Sequence, residues 1–305
     1  MKLLKTIEFA ENKQMAGWPF ANSEYFSYGD YKIHYRTDPA KGKEKGKMFM
    51  IHGFGCNTTF YDELVERYTK AGFRCVRVDL PDFGFSTRET KGINYVPRLE
   101  LLLALLDELD SKEKNPGKWI IVGHSMGGSV TLDIANTDYE KAAAYMLYAP
   151  MFMFNVPKPM SVMFASKPMG AIMDTALKYV MPYDTLVKLV LLIATASPRY
   201  IAKYDVSLAA DSLKLKDTGK GLCYMSSKAS HPDYEDMDKI KQPVLLVWGG
   251  LDLFVPKSKV KKLSESLPKG TEIHTIKWAG HCLVQNFSKR CANYVIEFLK
   301  KNNLY

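Results

Sequence analysis

A serine flanked by glycines lies between a strand pattern and a helix pattern in residues 119–128, which read WIIVGHSMGG. The spacing Gly-x-Ser-x-Gly places Ser125 between Gly123 and Gly127. Small neighbours allow a sharp turn from strand into helix, and this turn would project the serine away from the backbone. The helix that follows directs its free N–H groups and its positive dipole end at the same point. The segment therefore predicts a strand–turn–helix unit with Ser125 as a nucleophile.

Short apolar runs rich in β-forming residues alternate with helical patterns along most of the chain. This alternation is typical of a mostly parallel sheet with crossover helices, so we predict an α/β fold. Gly29 and Asp30 separate the first two runs and favour a hairpin. The predicted strands are SEYFSY, YKIHYRT, MFMIHG, FRCVRVDLP, KWIIVGHS, AYMLYAP, QPVLLVWGG and TEIHTIKW. The predicted helices are YDELVERYTKAG, VPRLELLLALLDELDSKE, MGGSVTLDIANTDYEKA, SKVKKLSESLP and SKRCANYVIEFLKK.

The alternation stops after Pro150 and returns near residue 241. Between these points the sequence has helical runs such as PMGAIMDTALKYVM and YDTLVKLVLLIATA, which prolines punctuate. We predict a sheet core in two parts, residues 1–150 and 241–305, with a helical insertion at 151–240. The length of 305 residues is then explained by an insertion rather than by two successive domains.

A serine hydroxyl is a weak nucleophile that needs a general base, which a carboxylate must orient. In a strand–turn–helix unit of this kind the acid and then the histidine follow the serine along the chain. His281 follows the last predicted strand in the loop WAGHC, whereas His274 lies inside that strand and His231 precedes the strand that could carry the acid. Asp252 comes directly after the strand PVLLVWGG. We therefore predict Asp252 and His281 as the partners of Ser125.

Attack by a serine also requires two N–H donors that hold the developing oxyanion. The amide of Met126, directly after the nucleophile, is one candidate. The run HGFG follows the third predicted strand, and the amide of Phe54 within it is the second candidate. We expect the ring of Phe54 to line the acyl site.

The runs HGFG, DLPDFGFS, GHSMGG, WGGLDLFVP and WAGH occur in the order found in the α/β-hydrolase superfamily, which the chain resembles from about residue 23 to about residue 299. The resemblance implies a mostly parallel central sheet flanked by helices, with the insertion forming a helical cap over the site. It also implies that Ser125 is the nucleophile, His281 the general base and acid, and Asp252 its orienting partner. Phe54 and Met126 are the implied oxyanion donors.

Methionine and phenylalanine are concentrated at the start of the insertion. Eight of the fifteen methionines fall between Met146 and Met181. Flexible methionines suit irregular apolar surfaces, and they serve equally well to pack a cap against the sheet. A dense apolar roof favours an acyl or aromatic substrate and resembles the monoacylglycerol-lipase and lysophospholipase-like esterase branch. The predicted substrate-binding residues are His124, Met151, Phe152 and Phe154.

Together these features predict a serine hydrolase that cleaves carboxylic esters of short or medium acyl or lipid-like substrates through an acyl-enzyme. A carbon–carbon bond hydrolase acting on a meta-cleavage product would carry the same motifs. A ligand receptor on a hydrolase scaffold, with little turnover, is a third alternative. An aspartate nucleophile followed by Trp, as in haloalkane dehalogenases and epoxide hydrolases, is absent because Met126 follows Ser125.

The formal charge of +9 lies mostly in residues 241–305, which carry 11 Lys and Arg against four Asp and Glu. These lysines fall in amphipathic stretches, where they most often form a solvated helix face. We predict no nucleic-acid partner. The five cysteines are scattered and show no C-x-x-C spacing, so we predict reduced thiols and neither a metal nor another cofactor.

The first residues, MKLLKTIEFAENK, lack the apolar core of a signal peptide. The longest apolar stretch, residues 186–196, is about half the roughly 20 residues that a membrane helix needs. We predict a cytoplasmic protein without a transmembrane span, acting on a small-molecule ester or lipid-like substrate. Transient contact with a membrane surface and the oligomeric state stay open.

Overall fold

One eight-stranded sheet forms the centre of the protein in the computed structural model, which describes residues 13–90, 93–152, 156–228 and 237–305. The strands are β1 (Ser23–Tyr28), β2 (Tyr31–Asp38), β3 (Gly46–Ile51), β4 (Phe73–Val78), β5 (Trp119–His124), β6 (Ala142–Tyr148), β7 (Val244–Gly249) and β8 (Glu272–Ile276). Their order across the sheet is β1-β2-β4-β3-β5-β6-β7-β8. β2 is antiparallel to both of its neighbours, and every other neighbouring pair is parallel. The predicted α/β class is confirmed.

Burial differs between the central strands and the edge strand of the sheet. Every residue of β5 and β7 is buried, as expected for central parallel strands that are covered on both faces. The edge strand β8 instead alternates between exposed and half-buried residues before the buried Ile276. At the opposite edge, Tyr28 pairs with Tyr31 across Gly29 and Asp30, so the predicted hairpin has a two-residue turn.

Twelve α-helices accompany the sheet in the described residues, together with 3₁₀ helices at Thr58–Tyr61, Asp211–Lys214 and Met237–Lys239. The α-helices are α1 (Asp62–Lys70), α2 (Arg98–Ser111), α3 (Met126–Asn136), α4 (Lys158–Ala165), α5 (Lys167–Val180), α6 (Asp184–Thr195), α7 (Pro198–Ile201), α8 (Ser207–Ala210), α9 (Thr218–Lys228), α10 (Lys257–Ser266), α11 (Leu283–Asn286) and α12 (Ser288–Lys301). All five helices that the sequence predicts outside the insertion are present as α1, α2, α3, α10 and α12.

Helices α4 to α9 lie between β6 and β7, and no strand interrupts them in the part of this stretch that the structure describes. The two predicted runs form α5 and α6. α9 was not predicted because its sequence contains Gly219 and Gly221, which disfavour a helix. Close packing compensates for the low helix propensity of these glycines. A side chain at position 219 would place its Cβ 2.2 Å from the backbone nitrogen of Asp174, so glycine is what allows α9 to approach α5 closely. The boundaries of the insertion at residues 151 and 240 remain a prediction.

The parallel strands bring the candidate residues to one edge of the sheet. Ser125 follows β5, Asp252 follows β7 and His281 follows β8, and all three of these strands point the same way. The carboxyl ends of parallel strands are the usual place for a binding crevice in an open α/β sheet.

Candidate active site

Ser125 occupies a strained turn between β5 and α3. Its backbone has φ 52° and ψ −118°, in the positive-φ region that a residue with a side chain rarely adopts. Hydrogen bonds fix the turn on both sides: the Ser125 amide donates to the Tyr148 carbonyl at 3.0 Å, and the Met151 amide donates to the Ser125 carbonyl at 2.9 Å. β6 and the residues after it therefore hold the serine in place.

The glycines of this turn are required by close contacts. A Cβ on Gly127 would lie 2.2 Å from the Ile51 carbonyl oxygen, and one on Gly123 would lie 2.2 Å from Thr131 Oγ1. Both distances are far below van der Waals contact, so a side chain at either position would push α3 away from the sheet. The close packing of α3 on β3 and β5 depends on these glycines.

Ser125, His281 and Asp252 form one hydrogen-bonded chain. His281 Nε2 lies 2.8 Å from Ser125 Oγ, and His281 Nδ1 lies 2.8 Å from Asp252 Oδ2. The carboxylate accepts only, so it fixes the proton on Nδ1 and leaves Nε2 to accept the serine proton. Asp252 Oδ1 accepts from the amides of Phe254 and Val255 at 2.8 and 2.9 Å. Both carboxylate oxygens are thus committed, and the orientation of the imidazole is set.

The insertion braces the loop that carries His281. The Cys282 amide donates to the Ala194 carbonyl at 2.9 Å, and the Gly280 amide donates to the Thr195 carbonyl at 3.3 Å. These carbonyls belong to the last turn of α6. They have no N–H partner within the helix, because Ala196 adopts a left-handed conformation with φ 51° and the helix ends there. Sequence reasoning missed this contact, since nothing in the residue pattern links two segments so far apart in the chain.

The loop after β3, which contains Phe54, lies against the serine turn. A Cβ on Gly53 would lie 2.9 Å from Ser125 Cβ, so the backbone of this loop touches the turn. A turn closed by the Cys56 amide and the Gly53 carbonyl, at 3.2 Å, orients the peptide of Phe54. Neither the Phe54 amide nor the Met126 amide donates to another group of the described chain. The Phe54 ring is 54% exposed and packs edge-on against Phe83.

His52 supports this loop from behind. Its Nδ1 donates to the Gly53 carbonyl at 2.7 Å, and its Nε2 accepts from the Leu80 amide at 3.1 Å. Burial lowers the pKa of His52, so the ring stays neutral and can serve both partners at once. The sequence signal was present in HGFG, but the histidine there acts on the loop and not on the substrate.

The predicted substrate-binding residues have different surroundings. His124 is buried, and its Nε2 donates to the His281 carbonyl at 3.0 Å. Burial and then the neighbouring His281 lower the pKa of His124 far below its ordinary value, so it is neutral. Phe152 is buried in the core, Met151 is half-buried, and Phe154 lies outside the described residues. His124 thus supports the His281 loop, and substrate contacts of His124, Met151, Phe152 and Phe154 remain predictions.

A small cavity of about 40 Å³ adjoins the site. Its lining includes Gly55 and Cys56 of the loop after β3, Cys282 next to His281, and Leu191 of α6. One water molecule occupies about 30 Å³ of liquid, so the cavity accommodates only a very small group.

The described residues contain no group of three or more His, Cys, Asp or Glu side chains that could hold a metal ion. None of the described helices is long and apolar enough to cross a membrane.

A mostly parallel sheet with Ser125, Asp252 and His281 at the carboxyl ends of its strands defines the protein as an α/β hydrolase by fold. Solved structures agree with this class. The chain superposes on an enol-lactonase from Burkholderia xenovorans with a TM-score of 0.68 and 19% identity, covering 91% of this chain and all of that one.

The sequence comparisons define the family. The chain matches the family described as serine aminopeptidase, S33, over residues 42–286, and it belongs to this family of hydrolases. It is 23% identical to a monoacylglycerol lipase of Xenopus laevis, over 90% of this chain and 81% of that protein. It is 24% identical to a 2-hydroxy-6-oxononadienedioate/2-hydroxy-6-oxononatrienedioate hydrolase of Burkholderia vietnamiensis, over 89% of this chain and 92% of that protein. It is also 24% identical to the dihydrolipoyllysine-residue acetyltransferase component of the acetoin cleaving system of Pseudomonas putida, but spans only 64% of that protein's length.

Proposed function

We propose that the protein is a serine hydrolase that cleaves carboxylic esters of short or medium acyl or lipid-like substrates through an acyl-enzyme. The observation that carries the proposal is the chain of two 2.8 Å hydrogen bonds that joins Ser125, His281 and Asp252. The amides of Phe54 and Met126, which donate to no described group, add to it. A nucleophile, an oriented base and an oxyanion site within reach of one carbonyl carbon are the parts that acyl transfer requires.

The proposed reaction begins when Ser125 Oγ attacks the ester carbonyl while His281 Nε2 takes the serine proton. The amides of Phe54 and Met126 stabilise the oxyanion of the tetrahedral intermediate. His281 then gives its proton to the departing alcohol, which leaves an acyl group on Ser125. A water molecule, deprotonated by His281, attacks the acyl-enzyme, and the acid is released as the serine is restored. Asp252 stabilises the imidazolium in both halves of the reaction.

Replacing Ser125 with Ala tests the proposal. We expect turnover of p-nitrophenyl esters to fall by at least about 10³-fold, with the melting temperature unchanged within a few degrees. A fluorophosphonate probe should label the native protein and not the variant. Ser111→Ala, at an exposed position near the end of α2, is the matched control and should retain full activity. Unchanged ester turnover in Ser125→Ala would contradict the proposal, and absence of both labelling and turnover in the native protein would favour a ligand receptor.

A carbon–carbon bond hydrolase is the second candidate, supported by the similarity to the hydrolase of Burkholderia vietnamiensis. Its substrate would be a vinylogous diketone from ring cleavage, whereas an esterase needs a carbonyl with an alkoxy leaving group. A single panel separates the two: p-nitrophenyl esters of increasing acyl length, a ring-cleavage diketone, and an aminoacyl p-nitroanilide for the activity that the family description names. We expect the highest kcat/KM on the esters. A higher kcat/KM on the diketone would replace our proposal with the second candidate.

A further inference from the structure

The loops that follow β7 and β8 expose large apolar side chains close to the candidate active site. Four such side chains are between 41% and 78% exposed, and we call them the β7–β8 rim: Leu251, Leu253, Phe254 and Trp278. Asp252 stands among the first three, and His281 comes three residues after the last. Exposed apolar side chains that cluster at the edge of a site usually mark a surface that binds a ligand.

Backbone contacts hold the two loops of the rim together. The Leu251 amide donates to the Ala279 carbonyl at 2.9 Å, and the Gly250 amide donates to the Ile276 carbonyl at 2.9 Å. A Cβ on Gly250 would lie 2.5 Å from the Lys277 carbonyl oxygen, so the two backbones touch. The rim is therefore one surface built from two loops, and it moves with the loops that carry the acid and the histidine.

Phe254 joins the rim to the imidazole of His281. The centres of the two rings are 5.2 Å apart, with 40° between their planes. The Phe254 amide donates to Asp252 Oδ1 at 2.8 Å, which fixes the backbone that carries the ring. A second ring beside the imidazole, that of His124, has its centre 4.8 Å away and is buried. Of these two rings, only that of Phe254 is exposed enough to touch a ligand, since about half of the residue is accessible.

The chemistry of ester cleavage brings the alcohol part of the substrate to this side of the site. In the proposed reaction the carbonyl oxygen points to the amides of Phe54 and Met126, and His281 Nε2 gives its proton to the oxygen that leaves. The leaving oxygen must therefore lie within hydrogen-bond reach of the imidazole, and the chain attached to it begins beside that ring. Phe254 is the exposed ring in contact with the imidazole.

The β7–β8 rim favours an apolar alcohol over a polar one. Residues 249–256 contain one charged side chain, that of Asp252, and both of its carboxylate oxygens already accept hydrogen bonds. On the second loop, the Lys277 ammonium lies 4.8 Å from the centre of the Trp278 ring, which stabilises it there. Hydroxyl groups placed against such side chains would lose water without gaining a partner, which is costly. An alkyl or aryl group would gain from the same contact.

We propose that Phe254 determines the alcohol specificity of the protein and that the β7–β8 rim binds the alkyl or aryl group of an apolar alcohol. This inference rests on the proposed ester hydrolysis and adds the nature of its leaving group. Glycerol carries two further hydroxyl groups that the rim does not pair, so esters of simple alkyl alcohols should be better substrates than glycerol esters of the same acid.

Two series of esters, compared by kcat/KM, test the proposal. Alkyl acetates from ethyl to hexyl vary the alcohol at nearly constant acidity, and ethyl esters from acetate to hexanoate vary the acyl group. We expect the native protein to gain about tenfold from ethyl to hexyl acetate, because the added methylenes pack on the rim. Phe254→Ala should reduce this gain to about twofold and leave the dependence on acyl length as in the native protein. Phe254→Leu keeps an apolar side chain and should restore most of the gain.

A matched control lies at the other edge of the sheet. Tyr95 is an exposed aromatic residue, and the adjacent Asn94 donates to Asp30 in the turn between β1 and β2. Tyr95→Ala should keep the native dependence on both the alcohol and the acyl group. Glycerol monoacetate tests the polarity of the rim, and the native protein should cleave it at least about fivefold less efficiently than butyl acetate.

An alcohol dependence that is the same in Phe254→Ala and the native protein would overturn the proposal. A loss that falls on the acyl series, or that Tyr95→Ala shares, would overturn it as well, and so would a preference of the native protein for glycerol monoacetate. All of these results require measurable turnover, so they would leave ester hydrolysis itself standing. If the native protein cleaves none of the esters, the hydrolase proposal is rejected and this inference with it, so the two failures are distinguishable.

Discussion

The sheet and the helical stretch α4–α9 differ sharply in how they bury their apolar residues. Every residue of β5 is buried, whereas no residue of α4 is buried. Ser125, Asp252 and His281 stand on short loops at the ends of buried strands, while the exposed apolar side chains concentrate on the helices beside them. Groups that must keep their geometry within tenths of an ångström benefit from a rigid scaffold, and surfaces that must adapt to a ligand do not. We interpret the buried sheet as the part that holds the reacting groups, and the exposed helices as the part that controls how substrate reaches them.

The largest effect that would test this division is on catalysis. Asp252→Asn should lower kcat on a soluble ester by about 10³–10⁴, because an amide NH₂ facing His281 Nδ1 would move the imidazole proton to Nε2 and leave no acceptor for the serine proton. The side-chain oxygen can still accept from the amides of Phe254 and Val255, so the melting temperature should change little. Leu189→Ser on α6 is the counterpart and should leave kcat on the same ester within about twofold. Similar losses of kcat in both variants, measured by steady-state kinetics, would contradict the division of roles between the sheet and the helices.

Paired glycine substitutions compare the tolerance of the two regions. Gly127→Ala should destabilise the protein by more than about 3 kcal/mol, because its Cβ would collide with two backbone carbonyls that cannot move independently of β3. In Gly170→Ala of α5 the new Cβ would lie 3.1 Å from Lys220 Cγ and 3.3 Å from the backbone Cα of Lys220. These contacts are much milder than those at Gly127, and a gain in helix propensity of up to about 1 kcal/mol should offset most of their cost. Urea unfolding of both variants measures the difference. A stable Gly127→Ala protein would mean that α3 is less tightly packed than these distances indicate.

Arg88 connects the two regions. Its guanidinium donates to the carbonyls of Phe83, Gly84 and Ser86 in the loop after β4. It also donates to the Ser212 carbonyl and Thr218 Oγ1. Burial lowers its pKa to about 10, which leaves it charged at neutral pH. Arg88→Met should destabilise the protein by about 2 kcal/mol, since several carbonyls lose a charged donor.

Hydrogen exchange distinguishes this effect from general destabilisation. We expect amides in residues 207–228 of the Arg88→Met variant to exchange faster while amides of β5 and β7 keep their protection. The exposed Arg199 offers a matched control, and Arg199→Met should exchange as the native protein does. Uniformly faster exchange across the sheet would show that the two regions unfold together.

The smallest expected effect concerns pH. Asp82 packs against α9, where a Cβ on Gly221 would lie 2.2 Å from its Oδ1. Burial, and then the neighbouring Glu89, raises the pKa of Asp82 to about 7. Because this value is above the unfolded value near 3.8, the protonated carboxyl stabilises the fold at low pH and this contribution is lost as the pH rises through 7.

Asp82→Asn removes that titration. Relative to the variant, the native protein should lose about 1 kcal/mol of stability between about pH 6 and pH 8, measured by urea unfolding at each pH. Asp184→Asn, at a half-buried carboxylate of α6, is the control and should give a pH profile parallel to that of the native protein. Parallel profiles for the native protein and Asp82→Asn would place the ionisation elsewhere.

The elements of the buried part were predictable because their sequences contain their own signals. Apolar runs marked the strands, Gly29-Asp30 marked the hairpin, and Gly72, with φ 98°, ended α1 where expected. α4, α7, α8, α9 and α11 were missed because they are short or contain glycine, so local propensity does not define them. α9 becomes a helix through its packing on α4 and α5, which is a property of the assembled fold.

By itself, the sequence determined the class of fold and which residues stand at the carboxyl ends of the strands, because strand periodicity and turn glycines are local properties of the chain. Only the tertiary structure decided that Ser125, His281 and Asp252 meet within hydrogen-bonding distance, that the last turn of α6 supports the His281 loop, and that His124 lies behind the site. It also decided which face of α6 is exposed among the described residues. Both faces of that helix are apolar, and periodicity cannot distinguish them, since burial depends on partners that are distant in the chain.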